Sequence, residues 1–590
     1  MKHEKNTHLV AKLAIPVIAL AFALPFAFAP SVADACGGTF CDGGPPVVMP
    51  VDQTGEDILF IRDGDHMEVH VRIEYTGAAE RFAWVVPLPA IPAVSVGSEP
   101  LFVALQTATI PNWTTLQTFE DPDDDPSGGW SGFLGGGDDS EPEQPQVVLE
   151  ESVGAFEIVV LQGGTAASVL EFFDANDYAY DPQAAPIIQQ YLDEGFLMTA
   201  VKLSAGASVE AIHPLVFRFV GDEPCVPIRL TAVAAREDMG IRAYFLAHER
   251  WSPLNYKHVE LNAAAYDWAS TGSLSYVELL SLAVDEAGGQ AFATDYAGPS
   301  AAVVRPSIWA PTWAAHDWAN SSASEAMVSL RMFGLLGFNG IPSQLRVILH
   351  NYVPVPPTWE FTDDQFWLDF WLHPELIDTP AWDGPAFAAD FQELIVEPGA
   401  HAVAMLEALP YLTRLHTTMS PHEMTLDPMF QPSPDLPDVV QTRVAGAHVF
   451  KDFEWTRYWL PTTLEPDGMV ATNARVCIAE DGDWPSFAGM PRALRIEQIP
   501  AMGPAQVLID NDEIIRSMID AYNEGSPCAA DPGDDDPGET GETGGTGGAE
   551  EVATKGRRGC AVDPAGGGGT LGFALGLMVL GLARRRRSRA

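Results

Sequence analysis

Within five positions of the segment "DGDHMEVHVRIEYTG", His66, Glu68 and His70 bring together two imidazoles and a carboxylate, the donor types that a borderline divalent metal such as zinc or copper takes. Apolar Met67, Val69, Val71 and Ile73 alternate there with His66, Glu68, His70, Arg72 and Glu74, which reads as a half-buried strand. On a strand the three candidates project from one face, spaced almost 7 Å (roughly two strand residues) apart, so a further ligand is expected from another strand. The plainer reading is a wet polar face behind a buried apolar one.

The remaining groupings are weaker. "HTTMSPHEM" offers His416, His422 and Glu423 but lacks the H-E-x-x-H spacing, and Ser420 to Glu423 reads as a helix start with Ser420 as cap and Glu423 in the capping-box position. Cys225 with His213 or His248 would form a thiol–imidazole pair, yet Pro224 and Pro227 favour a disulfide or a buried thiol. No G-x-S-x-G elbow and no G-x-x-x-x-G-K-[ST] loop is present. The acidic runs Asp121 to Asp125 and Asp534 to Asp536 lack the glycine and distal glutamate of a calcium loop. Trp309, Trp313, Trp318, Trp359, Trp367, Trp371 and Trp382 cluster in one helical stretch, which suits core packing first and a glycan-binding platform second. No residue pattern names a catalytic group or a cofactor.

The elements that must position these residues indicate an α+β fold: a β-rich N-terminal domain with inserted helices, followed by a mainly helical region. Residues 36–260 form the β-rich part, with a turn at Arg62 to Asp65, a short helix opened by Ser98-Glu99-Pro100 and helices from Thr165 and around Ile187. "CVPIRLTAVAA" reads as a strand. An acidic, Gly/Pro-rich insertion interrupts this domain at 118–146. Residues 261–430 carry apolar positions at helical spacing, with Ser324 and Thr362 as caps, while "PSQLRVILHNYVPVPP" suggests a strand pair or a strand entering a loop. Residues 431–528 mix strands with a closing helix capped by Asp510, and 529–559 form an acidic low-complexity stalk.

Both ends speak of address. Lys2, Lys5 and Lys12, an apolar run from Leu13 to Ala29, and Ala33-Asp34-Ala35 make residues 1–35 a secretory signal peptide, so the mature chain is expected to begin at Cys36. A lipid on Cys36 is the alternative. At the other end Cys560 precedes an uncharged run from Gly566 to Ala583, about the minimum for a membrane span, and then Arg584 to Arg587 and Arg589. That charge keeps the tail end cytoplasmic and the body outside the inner membrane. The formal net charge is −49 over 590 residues, and about −54 over residues 36–560, because eight basic but only three acidic residues lie outside that span. Such a chain repels nucleic acid, which is excluded as a partner.

An exported chain is free to form disulfides. If Cys560 serves anchoring, Cys36, Cys41, Cys225, Cys477 and Cys528 remain, an odd number. Cys36 with Cys41 is a feasible local pair across Gly37-Gly38, while Cys225 with Cys477 and Cys477 with Cys528 stay open.

The tail "GCAVDPAGGGGTLGFALGLMVLGLARRRRSRA" resembles the MYXO-CTERM sorting signal, a lone cysteine followed by a glycine-rich span and an arginine cluster. The resemblance implies cutting near Cys560 by a membrane protease of the myxosortase type and attachment through that cysteine. The blocks "FAWVVPLP", "AVKLSAG", "IHPLVFRF", "CVPIRLTAVAA", "YFLAHERWSPLNY" and "LTRLHTTMSPHEMTLDPMF" resemble domain of unknown function 2330, over most of residues 36–430. That family carries no established chemistry and implies an exported bacterial protein. The combined expectation is a cell-envelope protein, held at the membrane by its tail or a lipid, with a non-enzymatic binding or structural role. A metal-dependent or hydrolytic envelope enzyme and a glycan-binding module are the alternatives.

Overall fold

Alternation in "DQTGEDILFIRD" and "HMEVHVRIEYT" yields two neighbouring strands, Asp52–Asp63 and His66–Thr76, joined at Gly64, whose φ of +65° suits a residue without a Cβ. Their antiparallel register places Asp57 opposite Arg72, Ile58 opposite Val71, Leu59 opposite His70 and Ile61 opposite Glu68. The computed structural model describes residues 52–525 apart from 77–82, 120–145, 177–181, 205–210, 222, 234, 270–273, 338–339, 450–454, 461–473 and 480–482. Residues 1–35, Cys36, Cys41, nearly all of the acidic insertion, Cys528, the stalk and the tail with Cys560 lie outside the described residues.

These two strands sit inside a ten-stranded mixed sheet. From edge to edge it runs Gln506–Asp510, Ala493–Gln498, Lys257–Leu261, Ala291–Pro299, Tyr411–Met419, Ala235–Ala247, Asp52–Asp63, His66–Thr76, Leu215–Val220 and Ala93–Val96. The fold is α+β as expected, with a large β-sheet N-terminal region and helices later, but the sheet recruits strands from as far along the chain as residue 510.

One face of this sheet packs Ile58, Phe60, Val69 and Phe217 towards Trp84, Phe156, Ile158 and Val201 of a four-stranded sheet. On the other face, Leu59, Ile61, Tyr244 and Leu246 meet the helices Glu99–Thr109 and Glu397–Ala408 through Leu101, Phe102, Leu105, Ala402 and Leu406. Burial of each such side chain contributes roughly 1.5–3 kcal/mol.

Several local expectations need correction. Ser343–Tyr352 is a helix and not a strand pair, because Leu345, Ile348 and Leu349 bury at helical spacing. Ile228–Thr231 is a single helical turn where a strand was expected. Ser420 to Glu423 does not start a helix. It forms a turn after Tyr411–Met419, in which the Ser420 amide donates to Glu423 Oε2 at 2.7 Å. The cap of Ala323–Met332 is Ser322, paired with Glu325, and not Ser324. Thr362 does cap its helix, as expected. Asn511, and not Asp510, is the cap residue of Asp512–Asn523, although Asp510 Oδ1 accepts from the Asp512 amide at 3.0 Å.

Trp313, Trp318 and Trp367 are buried in the helical core, while Trp371 is exposed and stacks under Arg331. Packing accounts for those three, and Trp309, Trp359 and Trp382 pack partly buried against the same core. Among the described residues, Cys225 is free and Cys477 is disulfide-bonded, so the pairing of those two with each other does not occur. No helix among the described residues is long and apolar enough to cross a membrane.

Candidate functional site

The strand His66–Thr76 alternates as read, but its polar face is not wet. Glu68, His70 and Arg72 are all buried, because the helices Glu99–Thr109 and Glu397–Ala408 close over them. His66 stays outside this buried group: it lies at the strand's end, half-buried, with Nδ1 at 2.8 Å from the exposed Asp65 carboxylate. In its place the helix Glu397–Ala408 supplies His401 from near its start. The Nε2 atoms of His70 and His401 lie 2.9 and 2.6 Å from one oxygen, Glu68 Oε1, and the two rings stack with centroids 6.0 Å apart.

Arg218 Nη1 donates to the other oxygen, Glu68 Oε2, at 3.3 Å, and Arg218 Nη2 donates to Asp63. Burial works to raise the Glu68 carboxyl, but the hydrogen bonds from His401 and His70 outweigh it and hold the group well below the usual carboxylate range. Burial pushes the His70 imidazole down, whereas the hydrogen bond to Glu68 raises that of His401, whose side chain is 51% exposed. Glu68, His70 and His401 are the one His/Cys/Asp/Glu cluster with metal-binding spacing among the described residues.

Two strand positions away on the same face lies a charge cluster that sequence reasoning passed over. Asp57, fully buried, accepts from Arg72 and from Arg242, and Gln106 Nε2 donates to it at 3.2 Å. Burial alone would raise this carboxyl; Arg242 and Arg72 override it and bring it to about 2.

The opposite face of the same strands borders a cavity of about 580 Å³. Ile58, Phe60, Met67, Val69, Phe217 and Trp84 give it an apolar wall. Polar groups are few. Asp427 is engaged by Tyr191, whose hydroxyl donates at 2.8 Å, and by Arg229. Arg229 is in turn clamped by Glu194. Cys225 also borders the cavity, and burial pushes its thiol up, so it is an unreactive thiol there. Glu56 is different: it lines the cavity, is 8% exposed, and its Oε2 is buried with no hydrogen-bond partner. Burial, helped by the neighbouring Asp57 charge, raises it to about 7. The alternation of "GEDILF" placed Glu56 on the same face as Ile58 and Phe60, and that was the available signal.

The other candidates do not come together. His213 Nδ1 donates to the Pro214 carbonyl at 2.9 Å and its Nε2 accepts from the Ala155 amide at 3.2 Å. A Cβ at Gly154 would sit 2.2 Å from that nitrogen, which reserves the position for glycine. His416 is buried beside Asp295, 3.3 Å away, and Glu423 is turned to the Ser420 amide.

Residues 30–309 match the model of a family described as an uncharacterized protein conserved in bacteria, DUF2330. The match covers just under half of the chain and ends before the block at 412–430, so the resemblance is shorter than the spread of blocks suggested. Glu56, Asp57, Glu68 and His70 fall inside the matched residues, and His401 lies beyond them. No curated protein and no solved structure matches the chain.

Proposed function

We propose that the chain is an exported envelope protein, tethered through its tail, that binds an apolar small molecule bearing one hydroxyl or amine in the cavity beneath the sheet. The observation that carries the binding role is the cavity of about 580 Å³ with Glu56 in its wall, a buried carboxyl left with an unpartnered oxygen. Pockets of this size with an apolar lining and a few fixed polar groups are how proteins hold small ligands, and a hydrogen bond from the ligand would satisfy what the fold leaves open. Asp427, Arg229 and Glu194 at the cavity are already engaged with one another and with Tyr191, and the Cys225 thiol is held up by burial, which favours binding over turnover. Export rests on the Lys-rich apolar leader ending at Ala35. Tethering rests on the Cys560, glycine-rich span and arginine order of the tail, with a sorting protease of the myxosortase type as partner.

The binding role is tested with the apolar probe N-phenyl-1-naphthylamine. Fluorescence titration of the purified chain is expected to show saturable uptake, weakened at least tenfold by Val69→Phe, which fills the cavity wall. Equal uptake by both proteins overturns the reading. Intact mass of the chain recovered from cells tests the address: the expected species begins at Cys36 and lacks the arginine tail, and a full-length species with its first methionine refutes it.

A further inference from the structure

The triad on the covered face of the sheet carries an inference separate from the apolar cavity. We infer that Glu68, His70 and His401 form a binding site for one borderline divalent transition ion, of the zinc class.

The donor set is two imidazole nitrogens and one carboxylate oxygen, which suits such ions and not calcium or magnesium, whose preference is for oxygen alone. The three ligand atoms lie within 4.8 Å of one another. A tetrahedral ion at about 2.0–2.1 Å from each ligand needs them about 3.3 Å apart. The two nitrogen–oxygen separations are 2.9 and 2.6 Å, so the triad must open by well under 1 Å per contact. Two of the three ligands are rigidly placed, because Glu68 and His70 are buried on a strand with neighbours on both sides. The third, His401, stands half-exposed near the start of a helix, and gives an ion a route in and a coordination position facing solvent. Arg218 holds the second oxygen of Glu68, as outer-shell partners hold metal-ligating carboxylates.

An ion on Nε2 would replace the two N–H donations that converge on Glu68 Oε1 and would fix the His70 ring proton on Nδ1. That nitrogen is buried and has no acceptor among the described residues, so the outer shell is filled at Glu68, by Arg218, and open at His70.

The test is calorimetric titration of zinc chloride into the metal-stripped full chain, beside His401→Ala and His66→Ala. His401 is exposed enough for its removal to leave the fold intact, and a thermal melt checks this. The expected result is one zinc per chain at this site, an affinity at least tenfold weaker in His401→Ala, and no change in His66→Ala. Cobalt(II) added to the wild type is expected to give visible bands that His401→Ala loses. Unchanged zinc affinity in His401→Ala, or an equal loss in both variants, overturns the site. A lowered metal-free melting temperature in His401→Ala with zinc uptake intact also overturns it, and leaves the triad as a brace between helix and sheet.

Discussion

On the strands Asp52–Asp63 and His66–Thr76, neighbouring residues meet opposite worlds. Glu56, Ile58, Phe60, Met67 and Val69 line an open apolar cavity. Asp57, Arg72, Glu68 and His70 are pressed under two helices in a network of ion pairs and hydrogen bonds, with His70 Nδ1 left without a partner. The apolar face is thus loosely filled and carries one carboxyl without its full complement of partners. The polar face is tightly filled, and its charges are matched. Burying charge is costly unless each ion is paired, so the covered face depends on stoichiometry of charge. The cavity face depends on area removed from water and tolerates a gap.

The largest effect is expected where that matching is broken. Asp57→Asn leaves the Arg72 and Arg242 guanidinium groups facing each other without the carboxylate they share. Denaturant titration is expected to show a loss of about 3–5 kcal/mol, the usual result of stranding buried charge. A loss under about 1 kcal/mol, the range of an exposed pair, would mean that the covered face does not rely on this pairing.

Next comes Glu56→Gln, which probes the cavity face. Folded, the Glu56 carboxyl keeps its proton up to about pH 7, while its ordinary value is 4.5. Between these values the folded chain binds more protons than the unfolded one, so stability falls as pH rises through the interval, by about 3 kcal/mol in all. Glu56→Gln is expected to remove that decline: equal to the wild type near pH 4 and more stable above pH 7. Parallel stability curves for the two proteins from pH 4 to 8 would refute the assignment.

The smallest effect sharpens the role of the covering helix. Ser98 Oγ accepts from the Leu101 amide at 3.3 Å at the start of Glu99–Thr109. Ser98→Ala is expected to cost about 1 kcal/mol. If that loss is accompanied by faster amide exchange at Arg72, the helix cap and the charge cluster form one cooperative unit; exchange changed only within the helix would separate them.

How far residues alone lead is clear from particular cases. Strand alternation told which residues share a face, and did so correctly for all of His66–Thr76 that is described. It misjudged what lay on the polar face, since a period of two reports sides and not what covers them. Trp313, Trp318 and Trp367, buried as packing residues, were legible from the clustering of tryptophans in one helical stretch. Ser343–Tyr352 was not, because a short apolar run of Leu, Val and Ile fits both element types until its neighbours choose. The triad was two-thirds legible: Glu68 and His70 came from local spacing, whereas His66 was replaced by a histidine 331 positions from His70.

By itself, then, the order of amino acids determined the anionic character of the chain, the alternation of its central strands, the export-type leader and tail patterns, and an α+β composition. All of these are local properties, set by composition and by side-chain periodicity along a few residues. Only the tertiary structure decided that Asp57 meets Arg242, that His401 reaches Glu68, and that Glu56 is left in the wall of a cavity. Those outcomes depend on which distant segments pack against one sheet. The free energy of burying a charge or leaving a polar atom alone is settled by that packing, not by neighbours in sequence.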